Sequence, residues 1–242
     1  MINETVVYVG KDLEAMDFAG NYHDWILDVF APLLGKRLVE VGAGAGGFSE
    51  LLMRHSLESL ALIEPSRAMY NRLEQRVSCA EGSCEVRTYN SMFRRVCEQV
   101  KTDHRPDSII YVNVLEHVED DAAELKAVFD TLESGGRVFI FVPALRWLMS
   151  NYDRSIGHFR RYTRPELESR ASEAGFKILH SGYFDLAGIM PWWVKYRLLK
   201  SENMEPGALK MYDKFVVPVT KAMESLVRPP IGKNLILIGE KT

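Results

Sequence analysis

At 242 residues, 47% hydrophobic and 26% charged, the chain is sized for one α/β domain with room for a cap, and is too short for two independent domains. A net charge of −3 argues against a nucleic-acid binder, and three cysteines (Cys79, Cys84, Cys97) without C-x-x-C spacing argue against a disulfide framework or a zinc site. No run approaches the ~18 apolar residues of a spanning helix and no basic-then-apolar leader opens the chain, so a cytoplasmic protein is expected.

Met1 to Lys11 carries no pattern. From Asp17 to Leu34, residues Phe18, Tyr22, Trp25, Ile26 and Val29 recur near helical spacing, with Pro32 beyond, which predicts a helix. It either packs on a sheet edge or covers a ligand with the polar tips of Tyr22, His23 and Trp25. Leu38 to Leu52 (LVEVGAGAGGFSELL) then reads as a buried strand, a glycine turn and a helix start. Glycine permits positive φ there and lets a ligand reach the backbone, while the helix start offers unpaired N–H groups. Gly42, Gly44 and Gly47 satisfy the dinucleotide pattern G-x-G-x-x-G. Glu40 points elsewhere: two residues before the first glycine, its carboxylate would repel a pyrophosphate and favour a cationic ligand.

Glu40-Val41-Gly42-Ala43-Gly44-Ala45-Gly46 resembles the first motif of the class I S-adenosylmethionine-dependent methyltransferases. The resemblance implies an α/β, Rossmann-like sheet of seven mostly parallel strands, in the order 3-2-1-4-5-7-6 with strand 7 antiparallel and helices on both faces. It also implies S-adenosylmethionine as cofactor and S-adenosylhomocysteine as product. The implied cofactor contacts are Glu40, Gly42, Ala43, Gly44 and Gly46, with Tyr22 and Trp25 from the N-terminal helix as a lid.

Ser59 to Glu64 (SLALIE) is the second strand. An acid at its C-terminal end, beside the glycine turn, can accept both ribose hydroxyls. Pro65 and Ser66 begin a helix carrying Met69, Tyr70, Leu73 and Val77. Cys84 to Thr88 is a short third strand followed by Tyr89-Asn90-Ser91-Met92. The family often places an acid at that turn for the adenine amino group; Asn90, whose carbonyl accepts the same bond, stands there, with Ser91 and Met92 alongside. Asp107 to Asn113 is the fourth strand. Asn113, Val114 and Leu115 fall where the family holds the methionine part of the cofactor, and Glu116 and His117 are the polar groups nearest the transferred methyl. His117 is a candidate general base or a histidine that ties the loop to the next helix; with Glu116 alone it makes too sparse a set for a metal.

A helix over Ala122 to Leu132 and a turn at Ser134-Gly135-Gly136 lead into the fifth strand, Arg137 to Val142, stopped by Pro143. Ser150 to Glu166 is polar and includes GHFRRYT, which resembles a GHYRRY-type element of a bacterial methyltransferase subgroup. It should hang over the cleft as a substrate loop of Tyr152, Asp153, His158, Arg160 and Arg161, whose cations favour an anionic acceptor. His158 is a second candidate base. A helix start at Thr163-Arg164-Pro165-Glu166 is the plainer content of the segment. The sixth strand runs from Phe176 to Phe184 and the last from Asn234 to Lys241.

The domain expectation is a single unit: a helical lid over 1–34, a core over 35–184 and 234–242, and a helical cap over 185–233. Trp192 and Trp193, with Lys195, Arg197 and Lys200, suit a cap on an apolar substrate, a dimer face or a membrane-surface anchor. The expected function is methyl transfer to O, N or C of a small molecule, in secondary metabolism, by a monomer or homodimer without nucleic acid. A membrane-surface enzyme on a lipid-linked or sugar acceptor, an NAD(P)-dependent oxidoreductase and a non-catalytic cofactor-binding protein remain as alternatives.

Overall fold

The computed structural model describes residues 20–79 and 84–242; the expected lid residues 1–19 lie outside that range. Seven short strands pair into one sheet: β1 (Arg37–Val41), β2 (Ser59–Ile63), β3 (Glu85–Tyr89), β4 (Ser108–Val112), β5 (Arg137–Pro143), β6 (Lys177–Phe184) and β7 (Asn234–Glu240). Their order is β3-β2-β1-β4-β5-β7-β6. The first five strands are parallel, and β7 runs antiparallel to both neighbours. This is the expected order. Pro143 is the last residue of β5, opposite Asn234, so the fifth strand extends one residue past the expected stop.

Side chains alternate between the two sheet faces with period two, and the alternation builds two cores. Val39, Val41, Ile109, Tyr111, Val138 and Ile140 form one core with α4 (Phe93–His104), α5 (Asp121–Thr131) and α7 (Arg164–Glu173). Leu38, Leu60, Leu62, Ile110, Phe139 and Phe141 form the other. Packed on that second face are α1 (Gly20–Phe30), α2 (Gly47–Leu52) and α3 (Arg67–Cys79). The short α6 (Asn151–Ser155) lies between β5 and α7.

The 185–233 insertion between β6 and β7 is helical: α8 (Ile189–Trp192) continues as a π segment to Leu198, and α9 (Pro206–Met211) runs through a π segment (Tyr212–Val216) into α10 (Val217–Leu226). Two carboxylates tie it down. Asp213 accepts from the backbone N–H of Tyr22 at 2.9 Å and of Asn21 at 3.2 Å, satisfying donors that a helix start leaves open. Buried Asp185 accepts from the hydroxyls of Tyr22 and Tyr212 and pairs with Lys233 at 2.8 Å. The β1 and β4 connections leave in opposite directions, and the cleft opens at this crossing, at the carboxyl ends of the strands.

Candidate active site

Two adjoining cavities occupy the cleft. The larger, about 910 Å³, is lined by Gly42, Gly44, Glu64, Pro65, Ser91, Met92, Asn113 and Val114. The smaller, about 170 Å³, is lined by Tyr22, Glu40, Ala43, Tyr152, His158, Arg161 and Trp192. Gly42, Gly44, Asn113 and His117 face both.

The glycine turn is held in the left-handed region, with φ of +73° at Gly42, +56° at Gly44 and +88° at Gly46. A Cβ on Gly42 would lie 2.4 Å from Val114 Cγ2, so backbone and β4 loop approach as only glycine allows. Glu64 braces the turn: its Oε2 accepts from Gly44 N–H at 2.9 Å and its Oε1 from Ser66 N–H at 2.7 Å. Burial raises its pKa, against these two bonds.

Glu40 is buried one strand position from the turn, accepting from the Ser49 hydroxyl. Burial lifts its carboxyl to about 8, opposed by the Ser49 bond and helped by the Glu64 charge. In the ligand-free protein Glu40 is therefore largely protonated at neutral pH. A cationic ligand favours the ionised form, so binding is expected to release a proton and to tighten as pH rises towards about 8, then level off. Calorimetry with S-adenosylmethionine across that range checks this; an affinity flat with pH uncouples Glu40 from the ligand.

Around His158 the polar groups are ordered. Asp153 Oδ2 accepts from the backbone and hydroxyl of Ser150, at 2.7 and 2.6 Å. Asp153 Oδ1 meets Arg161 Nη2 at 2.7 Å and His158 Nδ1 at 3.0 Å. Burial would raise the Asp153 pKa, but His158, Arg161 and Ser150 hold it well below the usual carboxylate range. An ionised carboxylate only accepts, so His158 donates through Nδ1–H, and Nε2 is the ring nitrogen left for another partner. That Nε2 lies 3.8 Å from Glu116 Oε1. Glu116 is fully buried, and neither of its oxygens has a hydrogen-bond partner among the described residues, nor has Trp192 Nε1. Burial lifts Glu116 to about 7, with His158 pulling the other way. His117, ring centroid 4.6 Å from that of His158, is driven down to about 3 by burial and by its neighbour, and is neutral at physiological pH.

Seven expected site residues line neither cavity. Trp25 packs its ring on Phe184 at 3.8 Å in the core beneath α1. Gly46 starts α2 against Leu73. The Asn90 amide donates to the backbone carbonyls of Glu64 and Pro65, which fixes the end of β2. Leu115 is core, and Asp153 acts from behind His158. Arg160 turns to Asp121 at 2.6 Å, and Trp193 points outward.

The expectation that Arg160 and Arg161 bind an anion is corrected by their partners. Arg161 reaches the smaller cavity, but its guanidinium is taken by Asp153, the Ala144 carbonyl and the Trp192 ring. Arg161→Leu strands a buried carboxylate and is expected to destabilise the fold by about 3–5 kcal/mol in urea titration. Lys233 and Asn234, which also line the smaller cavity, carry no local signal in the sequence. They reach it because antiparallel β7 begins where β5 ends.

The model of a methyltransferase domain family matches residues 16–181, more than half of the chain. The chain belongs to this family. Membership decides between the two cofactors that the glycine spacing allows, in favour of S-adenosylmethionine. The ubiquinone biosynthesis O-methyltransferase of Aeromonas salmonicida is 31% identical over 121 residues, 48% of this chain and 47% of that protein. The Methylococcus capsulatus protein of the same name is 24% identical over 65% of this chain and 66% of its own. The match thus spans about half to two thirds of these relatives.

Among solved structures, the methyltransferase domain is similar in fold to a SAM-dependent methyltransferase from Archaeoglobus fulgidus (TM-score 0.52, 15% identity, 89% of this chain and 91% of that one). It is likewise similar to the [4+2]-cyclase SpnF (0.58, 15%, 92% and 80%). The cleft fits the cofactor. The glycine cradle has no room for a Cβ at Gly42, Glu64 keeps lone pairs beyond its two backbone bonds for hydroxyl donors, and Glu40 can ionise beside a cation.

Proposed function

We propose that the protein methylates a hydroxyl oxygen of a small aromatic acceptor held in the smaller cavity. The observation that carries this reading is His158, which faces that cavity while Asp153 behind it accepts from Nδ1. S-adenosylmethionine supplies an electrophilic methyl carbon on a sulfonium, cradled by the glycine turn, Glu64 and Asn113. The rest falls to this chain's own side chains.

His158 takes the acceptor's hydroxyl proton at Nε2 as the oxygen becomes nucleophilic. Asp153 accepts from Nδ1–H, fixes the tautomer and stabilises the imidazolium that forms, and Glu116 adds negative charge nearby. His117, held neutral, is too weak a base for this step. Tyr22, Phe48, Tyr152 and Trp192 give the cavity aromatic walls, and Trp192 Nε1–H is a donor for a second oxygen on the ring. Holding the two reactants in contact in a dry pocket supplies much of the rate. The O-methyltransferase names of the two relatives agree with an oxygen acceptor.

The test is incubation with methyl-labelled S-adenosylmethionine and matched panels of phenols and amines. Label in methyl ethers of the phenols is the expected result. Label in the amines alone overturns the oxygen reading.

A further inference from the structure

The insertion turns a long apolar stripe to solvent. Met211, Phe215, Val219, Met223 and Leu226 are 65, 58, 59, 65 and 86% exposed, and their spacing of four, four, four and three puts them along one side of the α9–α10 helix. The opposite side is already used: Asp213 caps α1, and Val217 and Thr220 are buried. The outward stripe is therefore mostly uncovered, and water is an unfavourable neighbour for it. The first helix of the insertion continues the theme, with Met190, Leu198 and Leu199 mostly exposed.

Charge says what covers the stripe. Residues 185–233 hold eight Lys or Arg against five Asp or Glu, in a chain whose net charge is −3. Lys210, Lys214 and Lys221 flank the stripe, and Lys195, Arg197 and Lys200 follow the tryptophans of the first helix. Lys221 reaches Asp28 and Lys195 lies 3.7 Å from Glu205, whereas Lys214 lies over the stripe's own Phe215 ring. A second copy meeting this face about a twofold axis would bring basic flank against basic flank. An anionic bilayer surface complements both features, taking the apolar stripe between acyl chains and the lysines at the headgroups.

We infer that the α8–α10 insertion is a peripheral docking surface for membranes that carry anionic lipid. No helix among the described residues is long and apolar enough to cross a membrane, so the association lies in the interface plane. The same insertion gives Trp192, Met204 and Lys233 to the smaller cavity, which links the docked surface to the acceptor site. Docking goes beyond the methyl-transfer reading and does not depend on it.

The test is flotation of the full chain with phosphatidylcholine vesicles, with and without added phosphatidylglycerol, at low and high salt. The protein is expected to float with the anionic vesicles only and to be released by salt. The double variant Phe215→Asp, Met223→Asp is expected to bind about tenfold less, with unchanged melting temperature and S-adenosylmethionine affinity, since both side chains are exposed. Lys214→Glu should weaken flotation on its own.

No flotation with anionic vesicles, or equal flotation of the double variant, overturns the proposal. A solution mass that halves in the double variant also overturns it, by showing that a second copy covers the stripe. Loss of S-adenosylmethionine binding by the unaltered protein would sink the methyl-transfer reading and leave docking standing.

Discussion

His158→Ala is expected to lower kcat by about 10²- to 10⁴-fold, the usual range for removing a positioned general base, while the affinity for S-adenosylmethionine stays within about twofold. The imidazole is held by a carboxylate partner: Asp153 Oδ1, 3.0 Å away, accepts from His158 Nδ1–H and fixes the ring in place. The ring lines the smaller cavity and not the larger, which is why cofactor affinity is spared.

Asp153→Asn distinguishes position from chemistry. An amide can still meet Ser150 and His158, yet it no longer dictates the tautomer, so kcat should fall and the pH profile should change, with KM moving less. His117→Gln is the control. Its ring is neutral and shared between the cavities, so a deeper loss there than at His158 would transfer the role of base to His117.

Glu64→Ala is expected to reduce S-adenosylmethionine affinity by about 10- to 100-fold, the worth of hydrogen bonds to a buried charged acceptor. Two effects add. The ligand loses an acceptor at the end of β2, and Gly44 N–H and Ser66 N–H lose the carboxylate that holds the turn open in the free protein. Glu64→Gln separates them: the amide keeps an acceptor but places a donor against one of two N–H groups, so it should bind better than alanine and worse than glutamate. Calorimetry reads both, and unchanged affinity in Glu64→Ala removes Glu64 from the site.

The inner strands β1, β2, β4, β5 and β7 were legible because burial on both faces writes near-continuous apolar runs, whereas the edge strands β3 and β6 are half exposed and mixed in sequence. The glycine turn was legible for a different reason. A positive φ and a missing Cβ leave a residue-type signature that no other constraint writes so densely. Polar segments gave less. Helix α4 (FRRVCEQVKTDH) buries only Phe93, Val100 and His104, too few to stand out by period.

The 150–166 segment looks solvated in sequence, yet Tyr152, Asp153, Arg161 and Tyr162 are buried. The Asp153–Arg161 pair that permits this joins α6 to the approach to α7, and spacing alone does not reveal such a partner. Trp25 shows the same limit: a helical stripe says that a face is buried, not whether a ligand or Phe184 covers it. The π segments at 193–198 and 212–216 leave no compositional mark at all.

Adenosyl sulfonium binding in the glycine-lined cleft beside Glu40 and Glu64 is the step on which the proposed methyl transfer depends. Parallel calorimetric titrations with S-adenosylmethionine and with NADH test it most directly. Saturable binding of the sulfonium compound, lost in Glu64→Ala, and no heat with the dinucleotide are expected. Binding of NADH together with silence towards S-adenosylmethionine would contradict it.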